Sequence, residues 1–190
     1  LSIPKDQREP FVKVARGLKP VDQISVFPVH LEPLPQSSAG KATCSLPVPP
    51  TPLVGRKHEL AEVIRLITTP DCRLLTITGP GGVGKTRLAL QVVHELKTTS
   101  PSHFPDGVCF VSLASVAAIE FIPKAIAGAI KFDLSGPLSP EDQLRSYLQN
   151  KRMLLVLDKA EHMLEWAEML TRSLEHSPTS QIMVTARERL

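Results

Sequence analysis

Apolar residues follow two alternating patterns along the chain after residue 52. Short, nearly unbroken apolar runs predict buried strands, and apolar positions spaced three or four residues apart predict amphipathic helices. The predicted strands are 73–78, 107–112, 153–158 and 181–185, and the predicted helices are 57–67, 87–97, 119–130, 139–150 and 163–174. Strands that alternate with helices are typical of an α/β fold with a parallel sheet covered on both faces.

Helix starts are indicated by capping residues. Ser139 can accept a hydrogen bond from a free backbone N–H, and Pro140 suits the first helical position. The two acidic residues that follow complement the positive end of the helix dipole. A helix is therefore predicted to begin directly after Ser139.

Proline separates an N-terminal region from the alternating region. Ten of the eighteen prolines lie in the first 55 residues, and those in 33–52 disfavour regular ladder pairing. An extended linker is predicted over 19–52. Residues 1–18 resemble the last helix of an upstream helix-turn-helix module, and an unstructured tail is an equal alternative. The globular domain is assigned to 53–190.

Composition excludes several classes of function. The net charge of +3 and the single Trp and Tyr do not favour direct nucleic-acid binding. No apolar stretch is long enough to span a membrane, and no signal-peptide pattern is present. Cys44, Cys72 and Cys109 are odd in number and widely spaced, so neither a disulfide framework nor a zinc site is expected. These features together favour the reducing cytoplasm.

A glycine-rich octapeptide carries the clearest chemical signal. Residues 79–86 read Gly-Pro-Gly-Gly-Val-Gly-Lys-Thr, a complete G-x-x-x-x-G-K-[ST] motif between a predicted strand and a predicted helix. Glycines let successive backbone N–H groups point at one anion, and the helix N-terminus adds partial positive charge. Lys85 would contact the β- and γ-phosphates of a nucleotide, and the Thr86 hydroxyl would bind Mg²⁺.

Asp158 supplies the expected second half of such a site. It ends the apolar run 153–157, where ligands of open α/β sheets bind. A carboxylate in this place can hold the Mg²⁺ that the loop hydroxyl also contacts. Strands also end commonly at acidic turn residues, which is the alternative interpretation.

Four motifs in order resemble the NB-ARC-like domains of signal-transduction ATPases with numerous domains (STAND ATPases), in the version found in large bacterial transcriptional regulators. They are Leu-Val-Gly-Arg at 53–56 with Glu59, the octapeptide at 79–86, Leu-Leu-Val-Leu-Asp-Lys-Ala-Glu-His at 154–162, and Val-Thr-Ala-Arg-Glu-Arg-Leu at 184–190. The resemblance implies binding of ATP or ADP with Mg²⁺, with Thr86 and Asp158 at the metal.

The resemblance also implies individual roles. The segment Val54-Gly55-Arg56 would lie against the adenine base, and Arg187 would contact the γ-phosphate as a sensor arginine. The nucleotide-binding set is therefore Val54, Gly55, Arg56, Gly79, Pro80, Gly81, Gly82, Val83, Gly84, Lys85, Thr86 and Arg87, and the catalytic candidates are Asp158, Glu161 and Arg187.

Two departures from the family pattern affect the expected activity. The family generally has Asp or Asn directly after the magnesium aspartate, but Lys159 stands there and cannot act as a base when protonated. Glu161 is the nearest alternative acid. The family continues beyond the fourth strand with further elements that this chain does not contain, so slow or absent hydrolysis is expected.

The resemblance implies a P-loop NTPase three-layer sandwich with strand order 1-4-3-2. With the family's fifth strand missing, the strand 73–78 would be an exposed apolar edge, which favours self-association.

The predicted function is a nucleotide-dependent switch that acts on other domains of a longer protein, with DNA contacted only through an upstream module and no membrane partner. The alternative is a turnover P-loop ATPase or kinase. A kinase usually needs arginines in a lid, and the region 98–130 has no arginine and one lysine, Lys124.

Overall fold

The computed structural model describes residues 44, 46–47, 53–160, 177 and 179–187, together with the backbone of a strand at 25–30. The strands are β1 (Ser25–His30), β2 (Cys72–Thr78), β3 (Gly107–Ser112), β4 (Met153–Asp158) and β5 (Gln181–Ala186). The helices are α1 (Lys57–Ile67), α2 (Lys85–Thr99), α3 (Ile122–Ala129) and α4 (Pro140–Leu148), with a 3₁₀ turn at Ile119–Phe121. The helix predicted at 163–174 and the residues 1–18 lie outside the described residues.

All four predicted strands and the additional strand β1 form one five-stranded sheet, whose order is β1-β2-β5-β4-β3. The strands β2, β5, β4 and β3 run parallel, which confirms the predicted order 1-4-3-2. Every residue of β2, β4 and β5 is buried. Strands buried on both faces need continuous apolar sequence, and this explains the apolar runs.

Helices cover both faces of the sheet and make three layers. On one face α1 and α2 pack against the sheet around Leu75, Leu88 and Val156. On the other face α3 and α4 pack around Ile126, Leu155 and other alternate strand residues. No helix in the described part of the chain is long and apolar enough to cross a membrane.

The strand β1 is not predicted by the sequence pattern and lies within the range assigned to the linker. It pairs antiparallel with β2, from Ser25 opposite Thr78 to Val29 opposite Leu74. Pro28 lacks a donor, and an outer strand tolerates this because one side of its backbone needs no partner. The expectation that 73–78 is an exposed edge is wrong, because β1 satisfies its backbone groups. Because the edge is covered, it no longer gives a reason to expect self-association.

A disulfide joins Cys44 to Cys109 in the middle of β3. The expectation that no disulfide forms is therefore wrong, because the 65-residue separation hides the proximity of the two residues. Cys44 packs against the α3/α4 face of the sheet. Among the described residues Cys72 is the free cysteine, and its burial raises the pKa of the thiol to about 11.

Candidate functional site

The glycine-rich loop connects the end of β2 to the start of α2. Gly82 and Gly84 have φ angles of 77° and 91°, a region that disfavours residues with a Cβ. Gly84 is the N-cap of α2, and the first turn of this helix contains no acidic residue. The positive end of the helix dipole therefore faces the loop without an acidic residue of the helix's own first turn to neutralise it.

The ammonium group of Lys85 is held inside this loop. Its Nζ donates to the carbonyl oxygen of Gly79 at 2.7 Å and to that of Pro80 at 2.9 Å. The lysine thus folds back over the loop that precedes its own helix. A flexible side chain is in this way fixed as a point charge at the mouth of the loop.

Two hydroxyl groups converge on one oxygen of Asp158. Thr86 Oγ1 donates to Asp158 Oδ1 at 2.7 Å, and Thr185 Oγ1 donates to the same oxygen at 2.6 Å. The backbone N–H of Lys159 donates in turn to Thr185 Oγ1 at 3.0 Å. Asp158 is 2% exposed. The chain of bonds joins the start of α2 to the ends of β4 and β5.

The register of the sheet explains why these groups meet. Leu157 lies opposite Val184 in the parallel pair β4 and β5. The next residues along the two strands are Asp158 and Thr185, so both reach the same carboxyl edge. The loop after β2 starts at this edge also, since β2 pairs with β5 on its other side.

A cleft of about 380 Å³ opens at this edge. Its walls contain four cationic side chains, and none of the described residues that line it is acidic. The lining residues are Gly81, Gly82, Gly84, Lys85, Thr86, Arg87, Lys159, Thr185 and Arg187. A cleft lined by one sign of charge attracts ligands of the opposite sign, and this cleft therefore suits a polyanion.

Arg187, proposed from sequence as a sensor, lies in this cleft. It follows β5, and its Nε would be 3.9 Å from a Cβ placed on Gly81. The guanidinium group is thus adjacent to the glycine-rich loop, although Arg187 and Gly81 are more than one hundred residues apart. A planar, permanently charged donor in this place can bind phosphate oxygens.

The structure does not bring every sequence candidate into the cleft. Val54, Gly55 and Arg56 are absent from its lining, and the Val54 side chain is 83% exposed. The carbonyl of Arg56 instead accepts the N–H of Leu60 at the start of α1. Glu161, the alternative acid, lies outside the described residues.

Two residues of the cleft were not assigned a binding role from sequence. Thr185 bridges Asp158 and the backbone of Lys159, and Lys159 itself lines the cleft. A signal for Thr185 existed, since it ends a strand next to the strand that ends at Asp158. The signal for Lys159 was its place directly after Asp158, where the family generally has Asp or Asn.

Comparison with known proteins gives a consistent match. The family model described as "NB-ARC domain" matches residues 56–190. A putative HTH-type transcriptional regulator of Mycobacterium tuberculosis is 39% identical over 117 residues, which are 61% of this chain and 13% of that protein. The regulatory protein AfsR of Streptomyces griseus is 28% identical over 156 residues, covering 76% of this chain and 15% of AfsR.

An uncharacterized protein of M. tuberculosis is 37% identical over 139 residues, which are 73% of this chain and 34% of that protein. The chain therefore spans between about an eighth and a third of the length of these three relatives.

Proposed function

Because this chain belongs to the NB-ARC domain family, a family of nucleotide-binding modules, we propose that it is an ATP- and ADP-binding switch that depends on Mg²⁺. The switch would control other domains of a longer STAND-class regulator. The observation that carries the proposal is a cationic cleft lined by Lys85 and Thr86, with the buried Asp158 carboxylate accepting a hydrogen bond from the Thr86 hydroxyl behind it.

The geometry of the loop supports the proposed phosphate contacts. Backbone N–H groups of 81–86 and the N-terminus of α2 bind the phosphate chain, and Lys85 adds a fixed positive charge. Arg87 and Arg187 add two guanidinium groups to the same cleft. Val54, Gly55 and Arg56 contact the adenine base, and the exposed side chain of Val54 suits a ring that covers it.

The oxygen atoms in the site fit Mg²⁺. Thr86 Oγ1 and Asp158 Oδ1 are 2.7 Å apart, close to the separation of about 2.9 Å expected for adjacent oxygen ligands around an octahedral Mg²⁺ ion. No cluster of three or more His, Cys, Asp or Glu side chains occurs among the described residues. Mg²⁺ commonly binds through one or two carboxylates and completes its shell with water and phosphate. A site with only two protein ligands, Thr86 and Asp158, is therefore suitable for this ion. When bound, the ion neutralises phosphate charge.

A switch fits the site better than rapid turnover. The residue after Asp158 is a lysine, which cannot accept a proton from an attacking water while it is charged. Glu161, the next acid along the sequence after Asp158, is the residue we assign to this role. We therefore propose that hydrolysis is slow or absent, and that Arg187 reports the presence of a γ-phosphate.

The output of the switch lies outside residues 53–187. Two of the compared relatives are named as regulators, one of them of the HTH type. We propose that nucleotide occupancy changes the assembly of the longer protein or its DNA binding through an upstream module. A cytoplasmic location is part of this proposal, since a regulator of DNA binding acts where the DNA is.

Titration with a fluorescent ADP and a fluorescent, non-hydrolysable ATP analogue tests the proposal. We expect saturable binding of both, stronger for the ATP analogue with Mg²⁺ than with EDTA, and competition by unlabelled ADP but not by adenosine. Absence of binding would disprove the nucleotide-switch function. Rapid steady-state release of phosphate from ATP would instead support the turnover ATPase.

A further inference from the structure

The backbone around Lys159 is held on both sides. The carbonyl of Asp158 accepts the N–H of Leu113 at 2.9 Å, and the N–H of Ala160 donates to the carbonyl of Thr185 at 2.9 Å. The N–H of Lys159 itself donates to Thr185 Oγ1. Three hydrogen bonds from two neighbouring strands therefore fix the direction in which this residue leaves the sheet.

Lys159 adopts an unusual conformation for its residue type. Its φ angle is 61°, in the left-handed region, which is unfavourable for a residue with a Cβ. Such conformations persist where the surroundings hold them, and they are frequent at functional sites. Here the turn places an exposed side chain in the wall of the cationic cleft.

The position of Lys159 differs from that of Lys85. Lys85 follows β2 and Lys159 follows β4, and β5 lies between these two strands. The two strand ends are therefore separated by about 10 Å, twice the spacing of neighbouring strands. Lys159 is also the neighbour of Asp158, so it lies on the side of the cleft where Mg²⁺ would bind.

We propose that Lys159 is a second phosphate-binding lysine, which contacts the terminal phosphate of a nucleoside triphosphate and so distinguishes it from a diphosphate. This inference rests on the proposed nucleotide function. The phosphates nearest the nucleoside are bound by the loop and α2, whereas Lys159 lies two strands away beyond Asp158. The Lys159 ammonium group therefore binds the terminal phosphate, which only the triphosphate has.

The same arrangement links triphosphate recognition to the metal site. Thr185 Oγ1 accepts from Lys159 and donates to Asp158, so one hydroxyl positions both the cation and the carboxylate. A protonated lysine beside the terminal phosphate stabilises bound triphosphate and cannot act as a base toward water. Retention of the triphosphate is then the expected property of this module.

Calorimetric titration of variants with ADP and with adenylyl imidodiphosphate, both with Mg²⁺, tests the proposal. Lys159→Gln keeps a polar side chain that is one atom shorter and removes its charge. We expect about tenfold weaker binding of the triphosphate analogue, equivalent to about 1.4 kcal/mol, and less than a twofold change for ADP. Lys159→Arg keeps the charge and should retain most of the triphosphate affinity.

Lys131 provides a matched control. It is also an exposed lysine in the left-handed region, with φ of 55°, and it follows α3 away from the cleft. Lys131→Gln should leave both affinities unchanged, which separates a local contact from a general loss of positive charge.

The outcomes separate this inference from the function on which it rests. Equal affinities of Lys159→Gln and the parent for the triphosphate analogue would overturn the proposed contact while the nucleotide function stands. An equal loss for ADP and the triphosphate analogue would also overturn it, since it would show no preference for the terminal phosphate. A parent protein that binds neither nucleotide would overturn both proposals.

Discussion

Thr86 and Asp158 are 72 residues apart in the sequence, yet the Thr86 hydroxyl donates to Asp158 Oδ1 at 2.7 Å. This bond joins the first turn of α2 to the end of β4 across the intervening strand β5. Neither residue alone can define a metal site. Because the two residues meet only in the folded sheet, the proposed Mg²⁺ binding depends on the assembled structure. Substitutions at either residue test it directly.

Lys85→Ala should weaken ADP binding by about 10- to 100-fold, since a charge-assisted hydrogen bond contributes about 1.5–3 kcal/mol. The fold should persist, because the Lys85 ammonium donates to carbonyls of its own loop and not to the apolar core. Fluorescent ADP titration measures the affinity and circular dichroism checks the fold. Lys97→Ala is the control, since Lys97 lies in the last turn of the same helix. Equal ADP affinity in Lys85→Ala and the parent would contradict the phosphate-loop assignment.

Asp158→Asn should weaken Mg²⁺-dependent binding of an ATP analogue at least about tenfold and change metal-free ADP binding much less. The amide oxygen can still accept from Thr86 and Thr185, so the hydrogen bonds persist while the charge is lost. Titrations with Mg²⁺ and with EDTA measure the difference. If EDTA has no effect on the parent protein, Asp158 does not hold a metal ion.

Thr185→Val should lower the free energy of unfolding by about 1–3 kcal/mol, because the backbone N–H of Lys159 loses its acceptor and Asp158 loses a donor. Thr185→Ser keeps the hydroxyl and should recover most of this loss. Urea denaturation followed by circular dichroism measures both variants. Identical stabilities for the Val and Ser variants would show that the hydroxyl does not contribute.

Reduction of the Cys44–Cys109 disulfide should lower the free energy of unfolding by about 2–4 kcal/mol, since the bond closes a long loop and restricts the unfolded chain. The matched variant is Cys44→Ser, whose melting temperature should be low and insensitive to reductant. Thermal denaturation with and without reductant measures both proteins. A parent protein purified without reductant that melts at the same temperature in both conditions would contradict the bond.

Much of the fold was encoded in short windows of sequence. The apolar runs predicted β2 to β5 within about one residue at each end, because burial on both faces demands continuous apolar side chains. The start of α4 was also predicted, and the Ser139 hydroxyl does accept the N–H of Asp142. Helix caps, turns and buried strands are determined by residues close together in the sequence, so short sequence windows predict them.

The candidate site was encoded only in part. The octapeptide 79–86 identified the loop, and the end of the apolar run at Asp158 indicated the opposing carboxylate. The proximity of Thr185 to Asp158 depends on the register of β4 against β5. The presence of Lys159 in the cleft depends on a left-handed turn held by bonds from neighbouring strands.

The contacts made by the N-terminal region were decided only by the tertiary structure. Nothing near Ser25–His30 indicates that this segment pairs with β2, and nothing near Cys44 indicates that it meets Cys109. Both contacts join residues more than forty positions apart, and such contacts depend on how the whole sheet is assembled. Local sequence therefore determined the elements and the glycine-rich loop, whereas chain packing determined which edge is covered and which side chains share the cleft.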